Sequence, residues 1–141
     1  MILLPYRVVL DSNFFFLPLT LRIDIFAEIE DLLSGRVQFM VIKPVKEEVE
    51  RLSRRGSIIG KSSQFAKRLM EKCRVIDMEV KPSEKVDDAI VRFSKGSNVM
   101  VATSDMLLKK KLRDINVPVI YVRDYSRLEL EGFPVKDGNL D

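Results

Sequence analysis

The sequence predicts an α/β protein, a three-layer α/β/α sandwich around a mainly parallel sheet of about five strands. Short apolar runs rich in β-branched residues recur along the chain, and each is followed by a segment with helical apolar spacing. This alternation is typical of parallel strands joined by crossover helices. The 141 residues are enough to bury one hydrophobic core, so we expect a single domain over residues 1–141.

The predicted strands are short runs of β-branched and aromatic residues between turn residues. They cover about Arg7–Leu10, Val37–Ile42, Arg74–Met78, Asn98–Thr103 and Val117–Val122. The predicted helices carry apolar residues at helical spacing. They cover Thr20–Leu33, a segment from Pro44 to Leu52, a segment from Ser62 to Cys73, a segment from Pro82 to Phe93, and Asp105–Asp114.

Three segments are predicted to lie outside regular structure. Asn13–Pro18 is expected to form an apolar turn that Pro18 breaks. Ser53–Gly60 is basic and contains glycine, which predicts a loop. Residues 124–141 are acidic and end in Gly and Asn, so we expect a tail that packs only in part.

Gly56–Ser62 is similar to the nucleotide-binding loop GxxxxGK[ST], but one residue is missing between its glycines. The backbone amides of such a loop must surround phosphate oxygens, and no buried strand leads into this segment. We therefore interpret it as a solvated linker.

The composition excludes several classes of catalytic site. The chain has no histidine, which excludes His-based acid–base catalysis, Ser-His-Asp triads and His-containing metal sites. Cys73 is the single cysteine, so disulfides and zinc clusters are excluded as well. We expect Cys73 to be a small apolar residue in or near the core. The 21 acidic residues favour a hard, oxygen-liganded metal.

The positive residues are clustered, although the net charge is only +3 and the pI about 9.0. The clusters are Arg51, Arg54, Arg55 and Lys61; Lys67, Arg68 and Lys72; and Lys109, Lys110, Lys111 and Arg113. Solvated helix faces and contacts to nucleic-acid phosphates explain such clusters equally well. Because no apolar run reaches the ~20 residues of a membrane span, and the N-terminus is too short for a signal peptide, we expect a cytoplasmic protein.

Carboxylates recur after consecutive predicted strands. Asp11 follows the first strand, Glu47 and Glu48 begin the helix after the second, Asp87 and Asp88 begin the helix after the third, and Asp105 follows the fourth. In a parallel sheet these positions meet at one edge, where a divalent cation would relieve their mutual repulsion. Acids in a first helical turn also oppose the helix dipole, and Asp11 or Asn13 could serve as a helix cap.

These segments resemble the PIN-domain ribonuclease family. The matching pieces are Val9–Asn13, similar to the family's strand and D-[TS]-N; Pro44–Leu52, similar to its P..V..EL..L helix; Asp87–Ile90; and Val101–Leu108. Val101–Arg113 and Val117–Val122 look most like the branch that processes ribosomal RNA, and less like the toxin branch. The resemblance covers about residues 8–122 and implies a PIN-like sheet of about five strands.

Carried over by position, the resemblance implies that Asp11, Glu48, Asp87 and Asp105 are catalytic and bind Mg²⁺ or Mn²⁺. Glu48 is preferred to Glu47, and Asp87 to Asp88, because Val49 and Ile90 then occupy the apolar positions of the family motifs. The implied orienting residues are Ser12, Asn13 and Thr103.

The implied function is a metal-dependent endoribonuclease that leaves 5′-phosphate and 3′-hydroxyl ends, acting in ribosomal or other RNA processing. RNA phosphates would contact Arg51, Arg54, Arg55, Lys61, Lys109, Lys110 and Lys111. With no Trp and 3 Tyr, base stacking should not dominate binding. The implied partners are RNA, a second copy of the chain and ribosome-assembly proteins, with no membrane role. Alternatives are an inactive RNA-binding scaffold, a toxin-type ribonuclease, and a phosphatase, which Asn13 disfavours because the usual D-x-D is absent.

Overall fold

One six-stranded sheet organises the protein, as seen in a computed structural model that describes residues 4–54 and 58–135. Its strands are β1 (Tyr6–Leu10), β2 (Val37–Ile42), β3 (Arg74–Ile76), β4 (Met100–Ala102), β5 (Val119–Arg123) and β6 (Arg127–Glu131). Their order is β3-β2-β1-β4-β5-β6; only the β5–β6 pair is antiparallel. The chain therefore leaves β1 on one side and later returns to its other side, which creates a topological switch point between β1 and β4.

Helices surround the sheet. They are α1 (Leu17–Leu21), α2 (Ile25–Leu33), α3 (Lys43–Ser53), α4 (Ile58–Met70), α5 (Val86–Ser94) and α6 (Met106–Asp114), and a 3-10 helix covers Ser12–Phe16. None of the helices in the described ranges is long and apolar enough to cross a membrane. The predicted α/β fold is confirmed.

The central strands are buried on both faces, as their uninterrupted apolar sequences predict. Val8, Val9 and Leu10 of β1 are fully buried, and so are all residues of β4. Phe14 and Phe15 of the 3-10 helix pack into the same core. The edge of the sheet at which β1 and β4 end is therefore held rigidly by packing.

The prediction of about five strands is one too few, because part of the predicted tail forms β6. Its sequence Arg127–Glu131 alternates charged residues with two leucines. Leu128 is buried against the core while Leu130 is half-buried, and the strand pairs with β5 along its whole length. The sixth strand thus depends on a tertiary partner. Residues 136–141 of the predicted tail lie outside the described residues.

The predicted single helix over Thr20–Leu33 is wrong, because the chain breaks between α1 and α2. Arg22 has a φ of 55° and ends α1 by donating its N–H to Pro18 O at 3.1 Å. Asp24 then begins α2, since its Oδ1 accepts from the Phe26 N–H at 3.1 Å and from the Ala27 N–H at 3.2 Å. Pro18 lies in the first turn of α1, where a missing N–H has no cost, so it starts a helix and does not end one.

The predicted Ser53–Gly60 loop is shorter than expected. Helix α3 includes Ser53, and helix α4 already begins at Ile58. Residues 55–57 lie outside the described residues. Helix α4 packs against α3 and the 3-10 helix and buries Ala66 and Met70, which stabilises helix through Gly60 despite its low propensity.

Arg92 of α5 binds the segment that precedes this helix. The Arg92 guanidinium donates to both oxygens of Glu84 at 2.9 Å and to the Glu79 carbonyl oxygen at 2.7 Å. Glu84 also accepts from the Lys81 N–H at 2.9 Å. These contacts, led by the hydrogen bonds from Arg92, lower the pKa of Glu84 to about 2. The start of α5 is thereby fixed in position.

We expect Arg92→Met to destabilise the fold by an amount that depends on pH. The lowered pKa of Glu84 stabilises the fold above the unfolded value of 4.5, and this contribution is lost as the pH falls through about 2. Urea unfolding of wild type and variant should show the largest difference near neutral pH and a smaller one toward pH 2. A difference that stays constant with pH would show that only the Glu79 carbonyl contact matters.

Candidate active site

Asp11 lies at the switch point, where β1 ends. Parallel pairing places Leu10 beside Ala102, and the Asp11 N–H donates to the Ala102 carbonyl oxygen at 2.9 Å. The residue is only 4% exposed. The residue directly after β4 is Thr103, which is fully buried. The ends of two adjacent central strands thus bring a carboxylate and a hydroxyl together.

Three donors satisfy the Asp11 carboxylate. The Ser12 main-chain N–H donates to Oδ1 at 2.8 Å, and the Thr103 hydroxyl donates to Oδ2 at 2.7 Å. Asn13 Nδ2 donates to the same Oδ2 at 3.1 Å. The three predicted orienting residues therefore all contact Asp11, with Ser12 contributing through its backbone.

The same side chains tie the two strand ends to each other. Asn13 Oδ1 accepts from the Ser104 N–H at 3.0 Å, and the Thr103 hydroxyl oxygen accepts from the Asp105 N–H at 3.0 Å. Asp105 in turn is the N-cap of α6, because its Oδ1 accepts from the Leu107 N–H at 2.9 Å and the Leu108 N–H at 3.2 Å. A hydrogen-bonded network therefore links Asp11 to the start of α6.

Asp87, in the first turn of α5, faces this network. Its carboxyl group lies within hydrogen-bonding contact of the Asp105 carboxyl group, a contact that favours the protonated form of Asp87. Burial first, and then the charges of Asp11 and Asp105, raise the pKa of Asp87 to about 6, while the charge of Lys111 opposes them. The neutral form of Asp87 is therefore favoured more than in a free aspartate.

The negative charge of Glu48 in α3 also affects the pKa of Asp11. Burial raises the pKa of Asp11, the hydrogen bonds from Thr103 and Ser12 lower it, and the charges of Glu48 and Asp105 raise it again. The structure therefore brings together the four predicted acids, Asp11, Glu48, Asp87 and Asp105.

The two neighbouring acids have other partners. The negative charge of Glu47 helps to raise the pKa of Lys43, after the larger effect of Glu79. Asp88 accepts the Lys85 N–H at 3.2 Å in a capping box and forms an ion pair with Lys111 at 3.7 Å. Glu47 and Asp88 thus have the helix-end and surface contacts that the sequence left open for every first-turn acid.

The four carboxylates suit a hard divalent cation in chemistry. All their donors are carboxylate oxygens, and the raised pKa values of Asp11 and Asp87 reflect burial and crowding that a cation would offset. Within residues 4–54 and 58–135, no group of three or more Asp, Glu or Cys side chains has the spacing of an assembled metal site. The four acids therefore lie close to one another, but without the spacing of an assembled metal site.

The predicted phosphate contacts divide into two groups. Arg51, Arg54, Lys110 and Lys111 are exposed, and Lys111 lies beside the acids of α5. Lys109 instead pairs with Glu131 at 3.0 Å, and its ammonium lies 3.9 Å from the centre of the Tyr121 ring. Because the Lys109 side chain is only 18% exposed, we remove it from the candidate RNA contacts. Arg55 and the Lys61 side chain lie outside what the structure describes.

Cys73 fits its predicted role as a small apolar residue. It packs against the core, and burial raises the pKa of its thiol to about 12, so the reactive thiolate is not populated near neutral pH. Sequence reasoning missed Ser104, whose backbone holds Asn13, because a main-chain contact leaves no signal in residue type.

Residues 8–125 match a family model described as "PIN like domain". The chain belongs to the PIN-like domain family. This PIN-like domain is 32% identical over 128 residues to Ribonuclease VapC4 of Methanocaldococcus jannaschii, covering 90% of the chain and 98% of the relative. It is 25% identical over 126 residues to Ribonuclease VapC9 of Archaeoglobus fulgidus, covering 87% of each. The solved PIN domain endonuclease Utp24 matches with a TM-score of 0.76 at 26% identity, covering 94% of this chain and 96% of that one.

The family resemblance seen in the sequence is thereby confirmed for the PIN-like domain. The ribosomal-RNA branch is not confirmed, since the matching sequence relatives are VapC ribonucleases while the structural match is the endonuclease Utp24.

Replacing Thr103 with valine should lower the free energy of unfolding by about 1–3 kcal/mol, because it removes a donor to Asp11 and an acceptor for the Asp105 N–H inside the core. Chemical unfolding measures the effect. Thr103→Ser keeps the hydroxyl and is the matched control, expected to retain most of the stability. A Thr103→Val variant as stable as wild type would show that the hydroxyl does not matter, and a larger loss in Thr103→Ser than in Thr103→Val would show that the methyl group matters more.

Proposed function

We propose that this PIN-like domain is a divalent-metal-dependent endoribonuclease. The observation that carries the proposal is the convergence of Asp11, Glu48, Asp87 and Asp105 at the switch point, with the pKa values of Asp11 and Asp87 both raised. Two relatives named as ribonucleases and one endonuclease structure support it.

In this proposal the four acids hold Mg²⁺ or Mn²⁺. When bound, the ion would lower the pKa of a water molecule and stabilise the charge that develops on the phosphate. Asp11 is held in place by Ser12, Asn13 and Thr103, so its free lone pairs keep one orientation. Asp105 is fixed by the α6 amides, and the exposed Lys111 lies close enough to offset negative charge on Asp87.

The substrate we propose is RNA, cut to leave 5′-phosphate and 3′-hydroxyl ends in ribosomal or other RNA processing, with a second copy of the chain or ribosome-assembly proteins as partners. The likeness of Val101–Arg113 to that branch supports this setting. A toxin-type ribonuclease is the alternative that the VapC relatives favour. An inactive RNA-binding scaffold is the other alternative, which the presence of all four acids disfavours.

The central test is RNA cleavage by wild type and Asp11→Asn, each with Mn²⁺ and with a chelator. We expect Asp11→Asn to reduce cleavage by roughly 100-fold or more, since loss of a metal ligand should cost at least as much as loss of an orienting partner. Cleavage that is equal in the variant, or unaffected by chelator, would exclude the metal-nuclease mechanism. Tight, salt-sensitive RNA binding without cleavage would support the scaffold alternative.

Lys110 and Lys111 test the phosphate contacts separately. Replacing both with alanine should weaken RNA binding and reduce the slope of log affinity against log salt by roughly 1.4–1.8, about 0.7–0.9 for each lysine, because each lysine releases counterions from the RNA. The double variant Arg36→Ala/Lys95→Ala is the matched control, since both residues are exposed and precede β2 and β4 at the opposite edge of the sheet. An unchanged slope in the lysine variant would show that Lys110 and Lys111 are ordinary solvated surface residues that do not contact RNA phosphates.

A further inference from the structure

A cleft of about 490 Å³ lies at the edge of the sheet where β4 ends, lined by the residues on either side of Asp105. It lies between α1, the start of α6 and the turn that joins β5 to β6. Its lining residues are Leu17, Thr20, Leu21, Ser104, Met106, Val122, Asp124 and Tyr125. Ser104 stands between Thr103 and Asp105 and donates its N–H to Asn13, so the cleft shares a wall with the acid network.

Tyr125 presents an aromatic ring at the rim of this cleft. It is 89% exposed and occupies a tight turn in which the Ser126 N–H donates to the Arg123 carbonyl oxygen at 3.1 Å. Both central residues have positive φ, 53° at Asp124 and 56° at Tyr125, as a type I′ turn requires. A large side chain rarely adopts this backbone conformation, and the paired β5 and β6 strands keep it there. The chain thus holds an exposed ring on a rigid support.

The polar groups of the cleft are few. The Ser104 hydroxyl is shielded from solvent and has no hydrogen-bond partner in the described part of the chain. This hydroxyl is therefore available to a ligand, to which it can both donate and accept. Asp124 adds an exposed carboxylate at the rim. Apolar walls, one ring and a few hydrogen-bonding groups are the features of a site for a flat heterocycle.

The charges of the residues that line the cleft favour a nucleobase over a phosphate group as its ligand. The cleft is lined by one carboxylate and by no lysine or arginine, so it does not suit phosphate. The exposed Lys110 and Lys111 lie instead on α6, on the helix that Asp105 begins. A strand whose backbone follows these lysines and crosses the acids could place one base in the cleft.

We propose that this cleft binds one unpaired nucleobase of the RNA strand, stacked on the Tyr125 ring with its polar edge toward Ser104 and Asp124. The inference rests on the proposed ribonuclease function and assigns to it a base-binding subsite next to the acids. It also identifies Tyr125 as a residue on which a base can stack, although we do not expect stacking to dominate RNA binding.

The test uses single-stranded RNA containing 2-aminopurine, bound to the full chain in the presence of chelator so that it is not cut. We expect binding to quench the 2-aminopurine fluorescence at one position of the strand. Tyr125→Ala should abolish this quenching and weaken binding on the order of 10-fold, as expected for the loss of one stacked base. Tyr125→Phe should retain both the quenching and the affinity, because stacking needs the ring and not the hydroxyl.

Phe133→Ala is the matched control. Phe133 is 88% exposed, nearly the same as Tyr125, but it follows β6 at the opposite edge of the sheet, so its loss should change neither the fluorescence nor the affinity. Ser104→Ala should reduce the preference among the four bases at the quenched position. The unfolding midpoint of Tyr125→Ala should equal that of wild type, because the ring is exposed.

RNA binding and cleavage that proceed equally well in Tyr125→Ala would overturn the base subsite and leave the nuclease proposal intact. A change in self-association of Tyr125→Ala, measured by sedimentation, without a change in RNA affinity would assign the cleft to a protein contact and also overturn it. If wild type neither binds nor cuts RNA, the proposed function fails and the subsite fails with it.

Discussion

The hydrogen bond from the Thr103 hydroxyl to Asp11 Oδ2 joins the ends of the two central strands, and the candidate site depends on it. Asp11 is almost fully buried, and a carboxylate in that position is costly unless donors satisfy it. Thr103 does more than donate, because its oxygen also accepts the Asp105 N–H that begins α6. One buried side chain therefore sets both the orientation of Asp11 and the position of Asp105. These residues lie at the switch point between β1 and β4, from which the sheet extends to β2 on one side and to β5 on the other.

The sequence offers two explanations for first-turn acids, opposition to the helix dipole and a role in a site, and the structure gives these acids different contacts. Asp88 is a helix-capping residue that also pairs with Lys111, and Glu47 acts on Lys43. Asp87 is hydrogen-bonded to Asp105, and Glu48 acts on Asp11. Asp105 does both, because its Oδ1 caps α6 while its side chain also meets Asp87. The dipole that stabilises an acid at a helix start thus also helps to tolerate the crowding of acids.

The sequence predicted most of the fold because burial leaves a strong local signal: β1 and β2 are apolar runs, and the apolar spacing of α3, α5 and α6 marks their buried faces. It could not predict features that depend on distant partners. The break between α1 and α2 is set by Asp24 accepting from two amides, within a sequence whose apolar residues continue at helical spacing. Strand β6 needs β5 beside it, and the pairing of Lys109 with Glu131 and Tyr121 joins elements that are distant in sequence. The acids followed from their recurrence after strands, whereas Ser104 contributes through a backbone amide and so had no signal.

The acids with raised pKa values lie beside the most tightly packed strands of the sheet. Burial and like charges raise the pKa values of Asp11 and Asp87, which means that ionising both opposes folding. The fully buried strands β1 and β4 supply the rigid packing that keeps these groups together despite this cost. The rim is built differently: α1 is short, the β5–β6 turn is exposed, and Met106 and Tyr125 are half or more exposed. Substitutions of these exposed rim residues should therefore leave the buried network intact, whereas substitutions of Asp11 or Thr103 change it directly. A fold divided in this way can keep one reaction chemistry while its choice of substrate changes.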